Sequence, residues 1–347
     1  MIQEQRPKSK IITLLRVLEE LTDEDNRLNR SEIMEEMKKR GVPISKAAVT
    51  DSLGILEDMG FDVDCKEDGN RGNKYCLLSR EIELHEVNIL IDAVQASRFI
   101  SVKKSSELTK KLQNLVSIHQ ARKIKKRMFF EGRVKAKNEN VFYSIDEIIR
   151  ALDGELWIKF DYYHYDARKQ FIKKSERHLA HPFAIVWEED CYYMIAVLFD
   201  LPPEKLTHFR IDRMNNVVSL DDVSSHVAPK DWLIYEQDEL DRLMQCKKEF
   251  NIDDYMRKTF KMYTGEPCRV VLRFHESILN SMIDRFGSDS NIRPDKSGYF
   301  KLHADIYLSD GFYYWLLSFA DKIELLEPKH ARVSFKKLIA QTQQLYN

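Results

Sequence analysis

Apolar residues recur at helical spacing from Lys10 onward: Ile11, Leu14, Leu15, Leu18 and Leu21 share one side of a helix. The polar run "TDEDNR" ends it. Asn29 predicts the start of a second helix, because Glu32 follows three residues later and the two side chains can cap each other's backbone N–H groups. Ile33, Met34 and Met37 supply the buried side of that helix, and Gly41 and Pro43 stop it. Ser45 caps a third helix with Val49, Leu53 and Leu56 inward, closed by Gly60. The period then changes. "FDVDCKEDGNRGNKYCLL" holds two alternating runs around a Gly-Asn-Arg-Gly-Asn turn, which predicts a hairpin.

Three short helices and a hairpin make the layout of a winged helix-turn-helix, whose third helix enters the major groove of DNA. The outward residues of the third helix are Lys46, Ala47, Thr50 and Asp51, and Arg71 and Lys74 sit on the wing where phosphates would be met. A small helical domain used only for protein contacts has the same pattern, so both readings stand. Asp51 can accept a hydrogen bond from a cytosine amine, or it can weaken attraction to DNA. Gly54 costs the third helix roughly 1 kcal/mol against alanine.

Beyond residue 80 the helical period returns twice, with Leu84, Val87, Leu90, Ile91 and Val94 on one side, then Leu108, Leu112 and Leu115. The following segment, "ARKIKKRMFFEGRVKAK", is strongly basic, but Met128, Phe129 and Phe130 interrupt it, so part of it should pack. A solvated face and a steering surface for nucleic acid are both open here. One more helix is expected over 141–153. After it, "ELWIKFDYY" sets Leu156, Ile158, Phe160 and Tyr162 against Trp157, Lys159 and Asp161. Several short strands follow, separated by turns such as "EED" and "DLPPEK", and they suggest a small β-barrel or a strongly curved sheet.

The C-terminal third starts with a helix and turn, "NIDDYMRKTFKMYTGEP". "CRVVLRF" reads as a strand with Val270, Leu272 and Phe274 on one face, "HESILNSMIDRFG" as a helix closed by Gly287, and "YFKLHADIYL" as a cleanly alternating strand. "GFYYWLLSFA" is a helix, "KIELLE" a third strand, and Pro328 opens a last helix. The order β-α-β-α-β-α predicts an α/β sandwich of ferredoxin-like character.

Composition narrows the function. A chain of 347 residues has room for two or three domains. Its formal net charge of −1 gives no overall pull toward nucleic acid, so any such role rests on local patches. Five scattered cysteines, odd in number and without a C-x-x-C pair, predict reduced thiols and a cytoplasmic protein. No apolar run approaches the ~18 residues of a membrane span, so no membrane partner is expected. Catalysis is not expected either. His178 and His181 form H-x-x-H without a third ligand at metal spacing, "HEVN" is not the zinc helix H-E-x-x-H, and there is no glycine-rich phosphate loop or G-x-S-x-G elbow. The pattern calls for neither metal nor cofactor.

"HLAHPFAIVWEEDCYYMIAVLFD" followed by "LTHFRIDRMNNV" resembles the WYL domain, a bacterial ligand-sensing module named for a Trp-Tyr-Leu tripeptide. The tripeptide is here Tyr192, Tyr193, Met194, with its central tyrosine kept, and "FRIDRM" resembles the family's arginine-bearing strand. The resemblance covers nearly the whole chain: the N-terminal module looks like the winged helix commonly fused to a WYL domain, and the tail like its C-terminal extension. It departs in the third helix, where Asp51 and Ser52 stand in place of the family's frequent Arg-Asp.

The resemblance implies an α+β multidomain chain. It would comprise a winged helix-turn-helix (1–80), a helical connector (81–153), a small Sm- or SH3-like barrel (154–222), and a linker with the C-terminal domain (223–347). It further implies a homodimeric transcriptional regulator that binds duplex DNA and senses a nucleotide or nucleic-acid ligand. Arginine suits phosphate through its two-pronged hydrogen bonding, and tyrosine offers a ring for a base. Tyr193, Arg210 and Arg213 are therefore the expected ligand residues, with Arg177, His181 and Tyr162 as weaker candidates. On a regular strand Arg210 and Arg213 would diverge, so a bulge or the strand's end must re-aim one of them. The residues alone equally allow a structural Arg–Asp pair through Asp212 and tyrosines that merely pack. An accessory factor binding single-stranded RNA or DNA, as in CRISPR or phage-defence systems, is the second functional reading.

Overall fold

The structure is a computed structural model that describes residues 7–69, 72–78, 80–127, 135, 138, 140–220 and 237–346. Arg71 of the expected wing, the Met128, Phe129 and Phe130 run, and much of the linker before residue 237 lie outside the described residues. The chain forms two compact units, Met1–Glu139 and Asn140–Asn347.

In the first unit, α1 (Pro7–Leu21), β1 (Leu28–Asn29), α2 (Arg30–Lys39), α3 (Lys46–Asp58), β2 (Val63–Glu67) and β3 (Asn73–Leu77) follow in order. The antiparallel sheet runs β1-β3-β2. Asn29 Oδ1 accepts from the Glu32 amide at 3.0 Å and Glu32 Oε2 accepts from the Asn29 amide at 2.7 Å, so the capping box fixes the start of α2. The Ser45 hydroxyl accepts from the Ala48 amide and does the same for α3. Leu14, Val17, Leu18, Ile33, Met37, Val49, Leu53 and Leu56 bury the inward sides of the three helices together.

Three further helices, α4 (Leu84–Ala96), α5 (Val102–Gln113) and α6 (Ile118–Arg127), fold in the same unit. They are fastened by polar contacts. Arg80 donates to the carbonyls of Glu19 and Thr22, both at 2.8 Å. Buried Asp23 accepts from the Asn26 backbone and amide and from the Ser117 hydroxyl. Val87, Ile91, Val116 and Ile124 form a small separate core. Leu90, expected inward on α4, is exposed, because the side of α4 that faces that core is the one with Leu84, Val87 and Ile91.

The second unit opens with α7 (Val141–Asp153) and a five-stranded antiparallel sheet: β4 (Trp157–Tyr165), β5 (Phe171–Glu188), β6 (Cys191–Leu198), β7 (Leu206–Arg210) and β8 (Met214–Leu220). The order is β7-β6-β5-β4-β8. Its two edge strands are consecutive in the chain, joined only by the 3-10 turn Ile211–Arg213, so the sheet curls to bring its edges together. The connector expected over 81–153 is thus not one piece. Glu147 of α7 accepts from the Ser219 amide and hydroxyl on β8, which ties this last helix to the sheet.

Helices α8 (Gln237–Glu249) and α9 (Ile252–Lys258) cover one face of the sheet. Leu243, Tyr255 and Met262 pack there on Trp157, Leu179, Phe183, Ile195 and Val197. The chain ends in β9 (Glu266–His275), α10 (Leu279–Phe286), β10 (Asn291–Pro294), β11 (Tyr299–Leu308), α11 (Asp310–Leu317), β12 (Ile323–Glu327) and α12 (Lys329–Gln344). Its sheet, β10-β11-β9-β12, is antiparallel throughout. The expected β-α-β-α-β-α order needs one correction: β10 adds a fourth strand, giving βαββαβα. "NIRP" is short, mostly exposed and ends in proline, so it shows no alternation, and as an edge strand it needs none.

Candidate functional site

The expected reading helix presents the expected side. Lys46, Ala47, Thr50 and Asp51 of α3 are all exposed, opposite buried Val49, Leu53 and Leu56. Glu57 and Asp58 are exposed farther along it. Lys74 lies on β3 with its ammonium 2.8 Å from Asp68, so its charge is already matched on the hairpin.

On the barrel, Tyr193 of β6 stands directly across from Arg210 of β7. Cross-strand partners share a face, so ring and guanidinium lie side by side. Tyr193 packs with Ile195 and Val197 toward the α8–α9 side. Burial pushes its phenol up to about 12. Arg210 is the last residue of its strand. There the chain turns into the 3-10 segment, and Asp212 folds back to grip the guanidinium with two parallel hydrogen bonds, Nε–Oδ1 3.0 Å and Nη2–Oδ2 2.8 Å. That pair holds Arg210 charged, well above the ordinary arginine value, and fixes its plane. The structural Arg–Asp pair and the presentation of Arg210 beside Tyr193 are therefore one arrangement.

Tyr162 belongs to the other face of the sheet. Its ring sits edge-on to Phe209 at 5.3 Å, near Phe160 and His178, and its hydroxyl accepts from the Arg210 amide at 3.3 Å. Half-buried Arg213 follows in the turn, and its charge acts on the Tyr162 phenol. Arg210 is thus placed beside Tyr193, and Arg213, at the other end of the 3-10 segment, acts on Tyr162 of the other face.

Arg177 and His181 are not brought to the Tyr193–Arg210 pair. Arg177 lies nine residues along β5 from Val186, the partner of Tyr193, and its own partner across the ladder is Asp161, next to Tyr162, so it belongs to the Tyr162 end and not beside Tyr193. Arg177 instead donates to Asp161 at 2.9 Å. His181 is 1% exposed, edge-on to Trp157 at 5.3 Å, with Nε2 3.3 Å from the Glu155 carbonyl. Burial, followed by the Lys247 charge, pushes it down to about 4, so it is a neutral core histidine.

Two residues went unread in the sequence. Asp161 is almost wholly buried on β4, where it accepts from Lys173 at 2.8 Å, Arg177 at 2.9 Å and the Asn216 amide at 2.8 Å. Burial alone would raise its carboxyl, but these three donors hold it down at about 2. Its signal was an acid within an otherwise apolar strand. The other residue is His208, two positions before Arg210. Its Nδ1 is 2.7 Å from the Met262 carbonyl and its Nε2 2.8 Å from the Tyr255 hydroxyl. Tyr255 in turn packs on Tyr307 of β11 at 5.0 Å. The arginine-bearing strand is thereby bolted to the C-terminal sheet.

No group of three or more His, Cys, Asp or Glu side chains is arranged for a metal among the described residues. No described helix is long and apolar enough to cross a membrane.

Residues 266–342, from β9 into α12, match the family model of the WCX domain, the C-terminal domain associated with WYL domains. The match covers 77 of the chain's 347 residues and shows that domain there. The WCX domain is then the split sheet β10-β11-β9-β12, and the strand bearing Arg210 is fastened to it through His208. Proteasome accessory factor B/C (PafBC) of Arthrobacter aurescens is a similar solved structure, at 16% identity and a TM-score of 0.25, with 94% of this chain and 46% of that one covered. The chain thus spans about half the length of that structure. No curated protein matches the sequence.

Proposed function

We propose that the chain is a DNA-binding transcriptional regulator, acting as a homodimer, whose barrel senses a nucleotide or nucleic-acid ligand through Tyr193, Arg210 and Arg213. The observation that carries the reading is the Tyr193–Arg210 pair. Asp212 takes the Nε–Nη2 edge of Arg210 and fixes its plane, which leaves the Nη1–Nη2 edge to donate to a phosphate, with the Tyr193 ring directly across the ladder for a base. The output end is the winged-helix layout, with α3 presenting Lys46, Ala47, Thr50 and Asp51 outward. A two-fold dimer suits a palindromic operator. The ligand would act by binding one dimer state more tightly than the other, since only a difference in affinity shifts an equilibrium.

A second reading, an accessory factor that binds single strands, is favoured by the charge of the reading side. α3 exposes Asp51, Glu57 and Asp58 against Lys46, and Lys74 is matched by Asp68. Fluorescence anisotropy separates the two. The probes are a duplex from the gene's upstream region, with a scrambled duplex as competitor, and a single strand of equal length, at two salt concentrations. A regulator holds its own duplex against the competitor. Indifference to the duplex with tight single-strand binding moves the function to the barrel.

A further inference from the structure

The hairpin between β4 and β5 outruns the sheet that carries it. β8 pairs with β4 only over residues 157–162, and β6 pairs with β5 only over residues 180–188. Beyond those limits Tyr163, His164 and Tyr165 pair with Lys173, Ile172 and Phe171 and with no third strand among the described residues. A two-stranded ribbon has little stability of its own. This one is anchored at its root by buried Asp161, which holds Lys173 and Arg177 at once.

Its surface has a distinct chemistry. Tyr163, Tyr165 and Phe171 share one side: Phe171 stacks on Tyr163 at 5.1 Å and 22°, and Tyr165 tilts against Phe171 at 5.1 Å. The Tyr165 ring is 53% exposed. From residue 163 to 177 the sequence carries five cations, Arg168, Lys169, Lys173, Lys174 and Arg177, against Asp166 and Glu176. The Asp166 carboxylate is committed to the turn, accepting from the amides of Arg168 at 2.9 Å and Gln170 at 2.7 Å. Lys169 occupies a left-handed backbone position, φ 61°, where glycine is the less strained residue. The tip thus places a cation where the backbone disfavours one.

We propose that this arm is a second nucleic-acid contact, a platform on which a single strand stacks a base on Tyr165 and lays its phosphates along Arg168, Lys169 and Lys174. The cations select a polyanion. The exposed ring selects a single strand, because a duplex keeps its base faces covered and a charged ribbon without rings would serve it equally well. The arm leaves the sheet one residue beyond Tyr162, whose hydroxyl accepts from the Arg210 amide, so what sets the platform apart from the Tyr193–Arg210 pair is its own residues, Tyr165 and the cations of the tip.

The test uses the full chain and a fluorescein-labelled oligo-dT of about 12 nucleotides, within the span that such surfaces cover. Anisotropy is read at two salt concentrations. Tyr165→Ala should weaken binding about tenfold. Arg168→Ala, Lys169→Gly and Lys174→Ala combined should weaken it and lower the slope of log affinity against log salt by about 2. Thermal midpoints should not fall below that of the parent, and the variant with Lys169→Gly should rise slightly because the left-handed tip is relieved. Should Tyr165→Ala shift the midpoint, Tyr165→Leu keeps the apolar cover without a ring to stack on, and should weaken binding equally. Unchanged oligo-dT affinity in the arm variants overturns the proposal. Loss in Arg210→Ala alone also overturns it, and leaves the sensor reading standing. Loss in the arm variants alone supports the arm and removes the Tyr193–Arg210 pair as the single-strand site. Weakened duplex binding with unchanged oligo-dT binding overturns the assignment to single strands.

Discussion

The two sheets of the second unit solve the same packing problem differently. β9 and β11 pair over ten residues without a break, and the buried side of their sheet is apolar and aromatic: Val270, Leu272, Phe274, Leu302, Ile306 and Phe312. In the barrel, the β4–β5, β4–β8 and β5–β6 ladders all shift register. Polar residues enter where they shift. Asp161 lies at both shifts of β4, and His181 sits next to the one at Pro182. A regular ladder keeps every second side chain on the same face, whereas a bulge re-aims one. The five-stranded sheet therefore admits buried polar residues at its shifts while its β6–β7 ladder, which pairs Tyr193 with Arg210, stays regular; the WCX sheet shifts once, between Leu325 and Glu327 on its edge strand β12.

If that contrast is right, the two sheets should fail in different ways. Removing apolar volume should hurt the WCX sheet most. Phe274→Ala, at a fully buried ring stacked near Phe300, should cost about 3–5 kcal/mol in urea unfolding. The barrel should instead answer to pH. His181 is held near 4 against an ordinary 6.5, so the unfolded chain takes up a proton that the folded chain refuses. Stability is complete above pH 6.5 and falls as pH drops toward 4, by about 3 kcal/mol. His181→Gln should flatten that part of a urea-midpoint profile.

Asp161 works in the same direction at lower pH. Its depressed carboxyl contributes stability above about pH 4, and that contribution is lost as pH falls toward 2. Asp161→Ala leaves three donors without their acceptor and should cost about 1–3 kcal/mol at neutral pH. The smallest effect has the opposite sign. Lys169→Gly relieves the left-handed tip and should stabilise by about 0.5–1 kcal/mol, seen as a small rise in thermal midpoint. A Phe274→Ala cost below that of Asp161→Ala would break the comparison.

The same contrast explains what the sequence disclosed. The WCX strands were legible because Val270, Leu272 and Phe274 alternate without exception, and α2 because Asn29 and Glu32 stand three apart. β10 was not legible, since a four-residue exposed edge buries almost nothing. β5 was read as several short strands because its polar stretch and its shifts interrupt the alternation, yet it is one strand of 18 residues. Of the ligand candidates, Tyr193 and Arg210 stand across from each other on one face, while Arg213 acts on Tyr162 of the other and Arg177 pairs with Asp161 beside it. His181 is buried in the core, because register and bulges, which residue types do not disclose, set its position. Asp161 and His208 escaped notice for a related reason: their partners, Lys173, Asn216, Tyr255 and Met262, are distant in sequence.

The central claim is that the barrel's arginine pair reports to the DNA-reading end. The most direct measurement is duplex affinity by anisotropy, with the upstream-region duplex as labelled probe, in the absence and presence of saturating thymidine monophosphate, a ligand with one phosphate and one base. The account expects the duplex affinity to change several-fold, within the roughly 5–150-fold range of allosteric coupling, and expects Arg210→Ala to abolish the change while leaving duplex affinity without the nucleotide intact. A duplex affinity that stays the same with the nucleotide present would contradict it.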